Sequence, residues 1–545
     1  MRSTFMGLEA SKRGLYAQQS ALYTTGHNIS NANTEGYSRQ RVNMSPSLGY
    51  PGIGLNNPKT AGFIGTGVEV SSVERIRDSF IDKQYRQETN KLGYWESRSN
   101  AVTQMEDILN EPSEYGLAKS LDQFWNSLQD LNVNPEDGGA RAVVVQRAVA
   151  VADSFNYMYN SISQIKENTG AEIGILLKDA NSVLQQIASI NEQIQAVEPN
   201  GYMPNDLYDA RDTLLDELSS YFPIETTNVP SGGNSLANAE GSVTVSIKIN
   251  GDTIKLVDGK DFAQLRNSSS NTAEDGVTPT NMVTGLHIVK INSNGTETYL
   301  NNDWSIRGTK TVNDINDFSN LGKFKSLVES YGYSTDGTED VTKESGLFPD
   351  MLNNLNKLAQ AFATQFNEAH AEGSDINGKK GQVFFVNKST ELGTEVTAGN
   401  IYVSENLLKD PNLIAASDSP GEDLTAVPPI TANPEPGNGK NALNLANFKT
   451  DTISALGDIS VQTYFEGLIG QLGVDGQEAS RMLYNTQSLQ QAVTERRSSV
   501  SSVSLDEEMT NMITFQQAYN ANARMITVID ETLEKIINGM GRVGL

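Results

Sequence analysis

The sequence predicts a mainly α-helical chain carrying a β-rich insertion, and three features carry that expectation. Apolar residues recur every seven positions at both chain ends, several long segments between them alternate steps of three and four, and one internal stretch switches to strand-like alternation punctuated by turn residues. At 545 residues the chain exceeds what one core usually supports, so several domains are expected. Residues 1–45 and 503–545 are expected to form a terminal coiled-coil domain. Residues 46–225 and 346–502 would form a helical middle domain, and 226–345 a β-rich outer insertion.

The elements follow in order. Leu8, Leu15, Leu22 and Ile29 are spaced by seven, while the second seam positions are mostly polar or small. That is a helix with a narrow apolar stripe, too thin to bury much alone. It stops at Asn31-Ala32-Asn33-Thr34-Glu35-Gly36. Residues 78–131 are helical in pattern with an interruption near Glu111-Pro112, and a further helix runs over 140–167. Then Ile173, Leu176, Ala180, Val183, Ile187, Ile190, Ile194 and Val197 form a fully apolar seam that predicts a coiled coil, ended at Pro199-Asn200-Gly201. Amphipathic helices are expected over 206–221 and 349–371.

From about Ile224 to Ser345 the composition shifts to Gly, Asn, Ser and Thr. Val243–Ile249 and Thr253–Val257 flank Asn250-Gly251, a hairpin signal, and residues 284–291 with 297–306 read as a second strand pair. Residues 417–440, rich in Pro and Gly, read as a surface loop.

At the other end Leu505, Met512, Tyr519, Ile526, Leu533 and Met540 are again spaced by seven. Ser504 and Glu507 have capping-box spacing, with Ser504 the N-cap, so the acids there are explained without catalysis. Two thin-striped helices at opposite ends imply one shared stem. Each needs the other, and neighbouring subunits, to be stable.

Composition narrows the function classes. With 41 Lys and Arg against 67 Asp and Glu, the net charge of −26 opposes binding to nucleic acid or anionic membranes. No cysteine is present, which removes disulfides, thiolate nucleophiles and Cys-ligated zinc. No apolar run approaches a membrane span, and the first residues lack the apolar core of a signal peptide, so membrane insertion and a cleavable leader are not expected.

Candidate chemistry is sparse. His27, His287 and His370 fall on unrelated elements without metal-ligand or triad spacing, so no catalytic, cofactor-binding or metal residue is assigned. Gly373–Lys380 nearly matches a phosphate loop, but Lys380 replaces the hydroxyl residue and the segment follows a helix. Gly62–Gly67 lacks the dinucleotide spacing. Phe384-Phe385 and the Tyr331/Tyr333 pair are read as packing residues ahead of ligand stackers.

The segment Asn31-Ala32-Asn33-Thr34-Glu35-Gly36-Tyr37-Ser38-Arg39-Gln40 resembles the amino-terminal signature of the flagellar axial proteins, the rod, hook and hook-associated subunits. Ser504-Leu505-Asp506-Glu507-Glu508, with Phe515–Tyr519 and Ala521–Arg524, is similar to that family's carboxy-terminal signature. Inner motifs resemble the hook-associated members: Pro204–Leu218, Gln382–Phe385, Gly399–Val403 and Asn438–Leu443. The likeness covers about 1–225 and 345–545, and the stretch after Phe385 is short beside members with an extra outer domain there.

The resemblance implies a structural subunit joining flagellar hook to filament, with the terminal helices lining an inner tube and the β-rich insertion facing the medium. Such members leave through the flagellar type III channel, form a homo-oligomeric ring at the hook tip, and meet the hook protein and a second hook–filament junction protein. A cytoplasmic chaperone covers the carboxy-terminal helix before export. Carried over, Leu8, Leu15, Leu22, Ile29, Leu505, Met512, Tyr519, Ile526 and Leu533 are assembly residues, and Asn31, Asn33, Gly36 and Tyr37 shape the turn out of the tube. The same residues could instead stabilise the subunit's own fold. Competing readings are another axial subunit, an extracellular enzyme carried on flagellar ends, or a cytoplasmic coiled-coil scaffold.

Overall fold

The computed structural model describes residues 4–50, 65–109, 116–249, 252–267, 277–280, 282–291, 297–299, 322–335, 340–422, 430–431 and 433–540. The Asn250-Gly251 turn, the Glu111-Pro112 interruption, Gly62–Ile64 and residues 300–306 lie outside them.

Helix α1 (Thr4–Ser30) leads into a long antiparallel hairpin of β1 (Gln40–Pro46) and β2 (Val68–Arg75). Three helices follow: α2 (Ser79–Leu109), α3 (Leu117–Val133) and α4 (Gly138–Val197). The sequence reads two helical segments over α4, yet it is one 60-residue helix, about 90 Å long at 1.5 Å per residue. Asp137 caps its start by accepting the Gly139 N–H at 2.9 Å. Pro199 and Gly201, the latter at φ +85°, end it. α5 (Asn205–Tyr221) turns back beside it.

The two halves of α4 serve two cores. Its first half packs with α2, α3 and α7 (Leu347–Glu372), and with the short hairpin of β12 (Phe385–Asn387) and β13 (Ile401–Val403). The centre is aromatic: Phe124, Trp125, Phe155, Phe362, Phe366, Phe384 and Phe385 are all buried, and the Phe362 and Phe385 ring centroids lie 4.9 Å apart. Residues 405–409 (α8), 440–447 (α9) and the start of α10 (Val461–Ser501) close this core.

The second half of α4 buries Ile173, Leu176, Ala180, Val183, Ile187 and Ile194. Their partners are α5, through Leu215 and Leu218, and a sheet face. The seam specifies only that one side is apolar, and Val243, Val245, Ile247, Ile254 and Leu256 supply a matching surface. These belong to β4 (Ser242–Ile249) and β5 (Asp252–Asp258), within the sheet order β3-β4-β5-β6, where β3 is Ile224–Val229 and β6 Asp261–Phe262. A second sheet of β7 (Gln264–Asn267), β8 (Leu286–Ile291) and β9 (Glu297–Tyr299) lies alongside. Two asparagines of α4 fix the strands: Asn191 exchanges both hydrogen bonds with the Val243 backbone, and Asn181 does the same with Leu265. α6 (Lys323–Tyr331) and a two-residue pair, β10 (Tyr333–Ser334) with β11 (Glu344–Ser345), complete this region. Tyr331 is core here, its hydroxyl donating to Pro279 O at 3.2 Å.

The 41-residue α10 runs along α2, burying Val461, Phe465, Leu472, Ala479 and Thr486, and α11 (Leu505–Met540) returns beside α1. No described helix is long and apolar enough to cross a membrane.

Candidate assembly site

α1 and α11 pair along their lengths, bringing the two chain ends together. The most buried line on α1 is Ser11, Gly14, Ala17, Ala21, Thr25 and Asn28 rather than the leucines. Small residues allow close approach: a Cβ at Gly14 would lie 2.8 Å from the Asn522 Oδ1. Leu8, Leu15, Leu22 and Ile29 flank this line half-buried, as do Met512, Tyr519, Ile526 and Leu533 from α11, while Leu505 is exposed.

The pair leaves much apolar surface in solvent. On α1, Phe5, Tyr16 and Tyr23 are exposed, Tyr23 to 81%. On α11, Met509, Ile513, Met525, Val528, Ile536 and Ile537 are exposed, Ile537 to 70%. These positions fall on more than one side of α11, the pattern of a helix meant for burial on several faces.

Where the stem meets the body, residues 31–40 form a hydrogen-bonded joint. Asn31 Nδ2 donates to His27 O at 3.1 Å and its Oδ1 accepts from Thr34 Oγ1 at 3.2 Å. Gly36 turns at φ +78°, and a Cβ there would sit 2.2 Å from Thr213 Oγ1. Tyr37 Oη donates to Asn28 Oδ1 at 2.8 Å, so at 2.9 Å from His27 Nδ1 it accepts from the ring N–H. Burial first, then Asp206, Asp209 and Glu508, push the Tyr37 hydroxyl far above its ordinary pKa, so it stays protonated. Asn28 also accepts from the Gln40 N–H at 3.0 Å and donates to Gln40 O at 2.8 Å and Glu508 Oε2 at 3.1 Å. Asn33 is exposed, with no side-chain hydrogen bond among the described residues.

Three consecutive residues then reach two elements, α5 and α11. Ser38 donates twice to Asp209, at 3.1 Å from the amide and 2.7 Å from the hydroxyl. Arg39 forks onto Glu507 and Glu508 at 2.7 Å each. Gln40 donates to Asp206 Oδ1 at 3.1 Å. The capping box is thus half made: the Glu507 N–H reaches Ser504 Oγ at 3.5 Å, while the Glu507 carboxylate is committed to Arg39. Glu508, 2% exposed, is the buried anion of the joint.

Behind the joint lies an ion cluster built on one face of α5. Asp209, Asp212 and Asp216 stand three and four apart, so they align. Asp212 meets Arg75 at 2.9 Å, Arg77 at 2.8 Å and Arg86 at 3.1 Å. Asp216 meets Arg86 at 2.8 Å and Arg497 at 2.6 Å, and Arg497 also binds Asp82 at 2.8 Å. Burial raises the Asp212 pKa, but the guanidiniums of Arg77, Arg75 and Arg86 outweigh it and hold the group well below the usual range. For Arg75, burial pulls down, and Asp212, Glu240 and Asp209 more than reverse it. The cluster therefore stays charged and ties β2, α2, α5 and α10 to the joint.

Tyr208 sits between Arg75 and Arg211, whose guanidinium carbons lie 5.0 and 5.3 Å from its ring centroid. Sequence reasoning missed Ser38, Arg39, Glu508 and the arginines as a unit. The one local signal was the aligned acids of residues 205–218.

The remaining candidates are structural. His370 is fully buried, accepts from the Ala415 N–H at 2.9 Å and bonds Gln382 O at 2.6 Å, which fixes a neutral ring with its proton on Nδ1. Burial chiefly lowers its pKa to about 4. His287 lies on β8. In the phosphate-loop look-alike, Asp375 Oδ1 accepts the Asn377 and Lys379 amides at 2.8 Å each, a tight turn already filled by its own carboxylate.

Comparison with known proteins bears on the same regions. Residues 102–385 match the family described as flagellar hook-associated protein FlgK helical domain. Residues 8–37, α1 and its turn, match the flagella basal body rod protein family, and 496–539 match the flagellar basal body rod FlgEFG protein C-terminal family. The chain is 41% identical over 546 residues to flagellar hook-associated protein 1 of Bacillus subtilis (strain 168), covering 99% of each. It is 25% identical to the protein of that name in Escherichia coli (strain K12), over 96% of this chain and 98% of the other. A solved structure titled as the flagellar hook junction protein FlgK from Burkholderia pseudomallei shares the fold, with a TM-score of 0.56 at 14% identity, over 77% of this chain and all of that one.

Proposed function

The chain belongs to the flagellar hook-associated protein 1 family, and from that premise we propose that it forms a homo-oligomeric ring at the hook tip. It is a structural subunit of the bacterial flagellum that joins hook to filament. The observation that carries the ring is the apolar surface left on more than one side of the α1–α11 pair, which adjacent copies would bury.

In this reading the stem formed by residues 1–45 and 503–545 lines the inner tube. Residues 46–225 and 346–502 form the next shell, and 226–345 face the medium. Leu8, Leu15, Leu22, Ile29, Leu505, Met512, Tyr519, Ile526 and Leu533 contribute to contacts between copies, and Asn31, Asn33, Gly36 and Tyr37 set the exit of the chain from the tube. Its other partners are the hook protein, a second junction protein and, before type III export, a cytoplasmic chaperone on α11. The finished subunit stands outside the cell.

The role is structural rather than enzymatic, a reading supported by the buried, doubly bonded His370 and by His27 serving the joint. Removing the gene from its host tests the function. Hooks without filaments under the electron microscope, with flagellin shed into the medium, are expected; normal filaments in a strain without a second copy would contradict it.

A further inference from the structure

Gly467, Gly470, Gly473 and Gly476 follow one another at steps of three inside α10, a 41-residue helix with no other glycine. Each glycine favours the helix about fivefold less than alanine would. No shortage of space explains the first three: they are exposed, and a Cβ on any of them would meet nothing within 4 Å. Nor do the four share a face. At about 100° per residue each step of three turns back by about 60°, so they wind about halfway round the helix and offer no one side to a packing neighbour. Their common effect is to weaken one stretch of α10.

The surroundings give that stretch little support. Within 467–476 only Leu472 is buried. α10 and α2 run antiparallel, Arg497 meeting Asp82 at 2.8 Å at one end and Gly476 facing Val102 and Glu106 near the other. On that register α2 ends, at Leu109, level with about Gly473. Beside the glycines a cleft of about 360 Å³ opens towards α7, lined by Leu468, Gln471, Leu472 and Asp475 from α10 and by Met351 and Asn354. Both flanks are held. Val461 and Phe465 sit in the aromatic core, with Tyr464 Oη donating to Asn354 Oδ1 at 3.1 Å. Arg497 is tied to Asp216 at 2.6 Å, beside the joint of the stem.

α4 passes unbroken through both cores, so a change of angle between them bends that helix. α10, which packs on α2 and α7, must lengthen or shorten to follow. We propose that residues 467–476 are the hinge that permits this, opening locally so that the aromatic core swings relative to the joint and stem as copies join. A short run of low helix stability between two anchored ends opens without unfolding either. The use in assembly rests on the ring proposed above; opening in the free subunit does not, so a failed hinge and a failed ring give different results.

Amide exchange of the free, full-length subunit tests the hinge. Residues 467–476 should exchange at least about tenfold faster than 482–495 of the same helix. The triple variant Gly467→Ala, Gly470→Ala, Gly473→Ala should slow them at least about tenfold without lowering the unfolding midpoint. Returned to a strain lacking the gene, it should reach the medium at the parental level yet put filaments on fewer hooks. Ser480→Ala with Ser488→Ala, at exposed positions of α10 outside the stretch, should assemble normally. Equal exchange across 467–476 and 482–495, or exchange unchanged in the triple variant, would overturn the hinge. Parental filament numbers with the triple variant would overturn its use in assembly. So would an equal loss from the serine pair, which would trace the defect to the stability of α10 as a whole.

Discussion

Arg39 and Glu508, 469 residues apart in sequence, meet at 2.7 Å between Nε and Oε1. The contact exists only when both chain ends are folded, because Arg39 follows α1 and Glu508 lies in the first turn of α11. It makes the joint a reporter of the stem.

Replacing Arg39 by Ala leaves Glu508 buried with only Asn28 as a side-chain donor among the described residues, and should destabilise the stem by ~3 kcal/mol. Limited proteolysis should then cut both termini faster while the aromatic core stays intact. Arg39→Lys should recover only part, since one ammonium cannot fork onto Glu507 and Glu508. Release of one terminus alone would argue against coupling.

Gly36 carries two constraints that separate by mutation. Gly36→Ala should cost about 1–2 kcal/mol for its positive φ, plus the collision with Thr213. Adding Thr213→Ala should remove the collision and leave the conformational part. Urea unfolding of the single and double variants measures both, and full recovery in the double variant would show that φ is not the constraint.

Removing the Asp212 charge should take one buried carboxylate from three guanidiniums at once, each of which keeps another acidic partner. Asp212→Asn is expected to cost about 3–5 kcal/mol, beyond what an exposed ion pair gives. The loss should change little between low and high salt, because buried pairs are poorly screened. Differential calorimetry of the variant against the parent checks this, and a loss that vanishes in high salt would contradict it.

His370 gives the aromatic core a pH dependence with a definite sign. Its folded pKa of about 4 lies below the ordinary 6.5, so the unfolded chain binds the extra proton. Its contribution is complete above pH 6.5 and is lost as pH falls toward 4, for a total of ~3 kcal/mol. His370→Gln should flatten the urea midpoint between pH 7 and 4.5 relative to the parent. An unchanged slope would remove His370 as its source.

Much of this architecture was legible because it is local. The seven-residue spacing of Leu8–Ile29 and Leu505–Leu533 located the stem helices, and the seam from Ile173 to Ile194 located half of α4. What covered each seam was not legible, since an apolar stripe does not name its partner: α4 met α5 and a sheet, and α1 met α11 through Gly7 and Gly14. α10 went unread because its heptad of buried positions includes Ala479 and Thr486, which carry little hydrophobic signal. The joint was hidden for a different reason. Ser38, Arg39, Asp209 and Glu508 are polar residues on remote segments, and only the fold brings their charges together.

The most direct test of the assembly account uses the absence of cysteine from the chain. Single substitutions Tyr23→Cys, Met525→Cys and Ile537→Cys place thiols on the exposed faces of the stem, with Val133→Cys, exposed on the body, as control. Maleimide labelling of the free subunit and of purified flagella then compares accessibility. The account predicts that the three stem thiols react in the free subunit and become protected in flagella, while the control stays comparatively reactive. Stem thiols that label equally in assembled flagella would contradict the claim that neighbouring copies bury these faces.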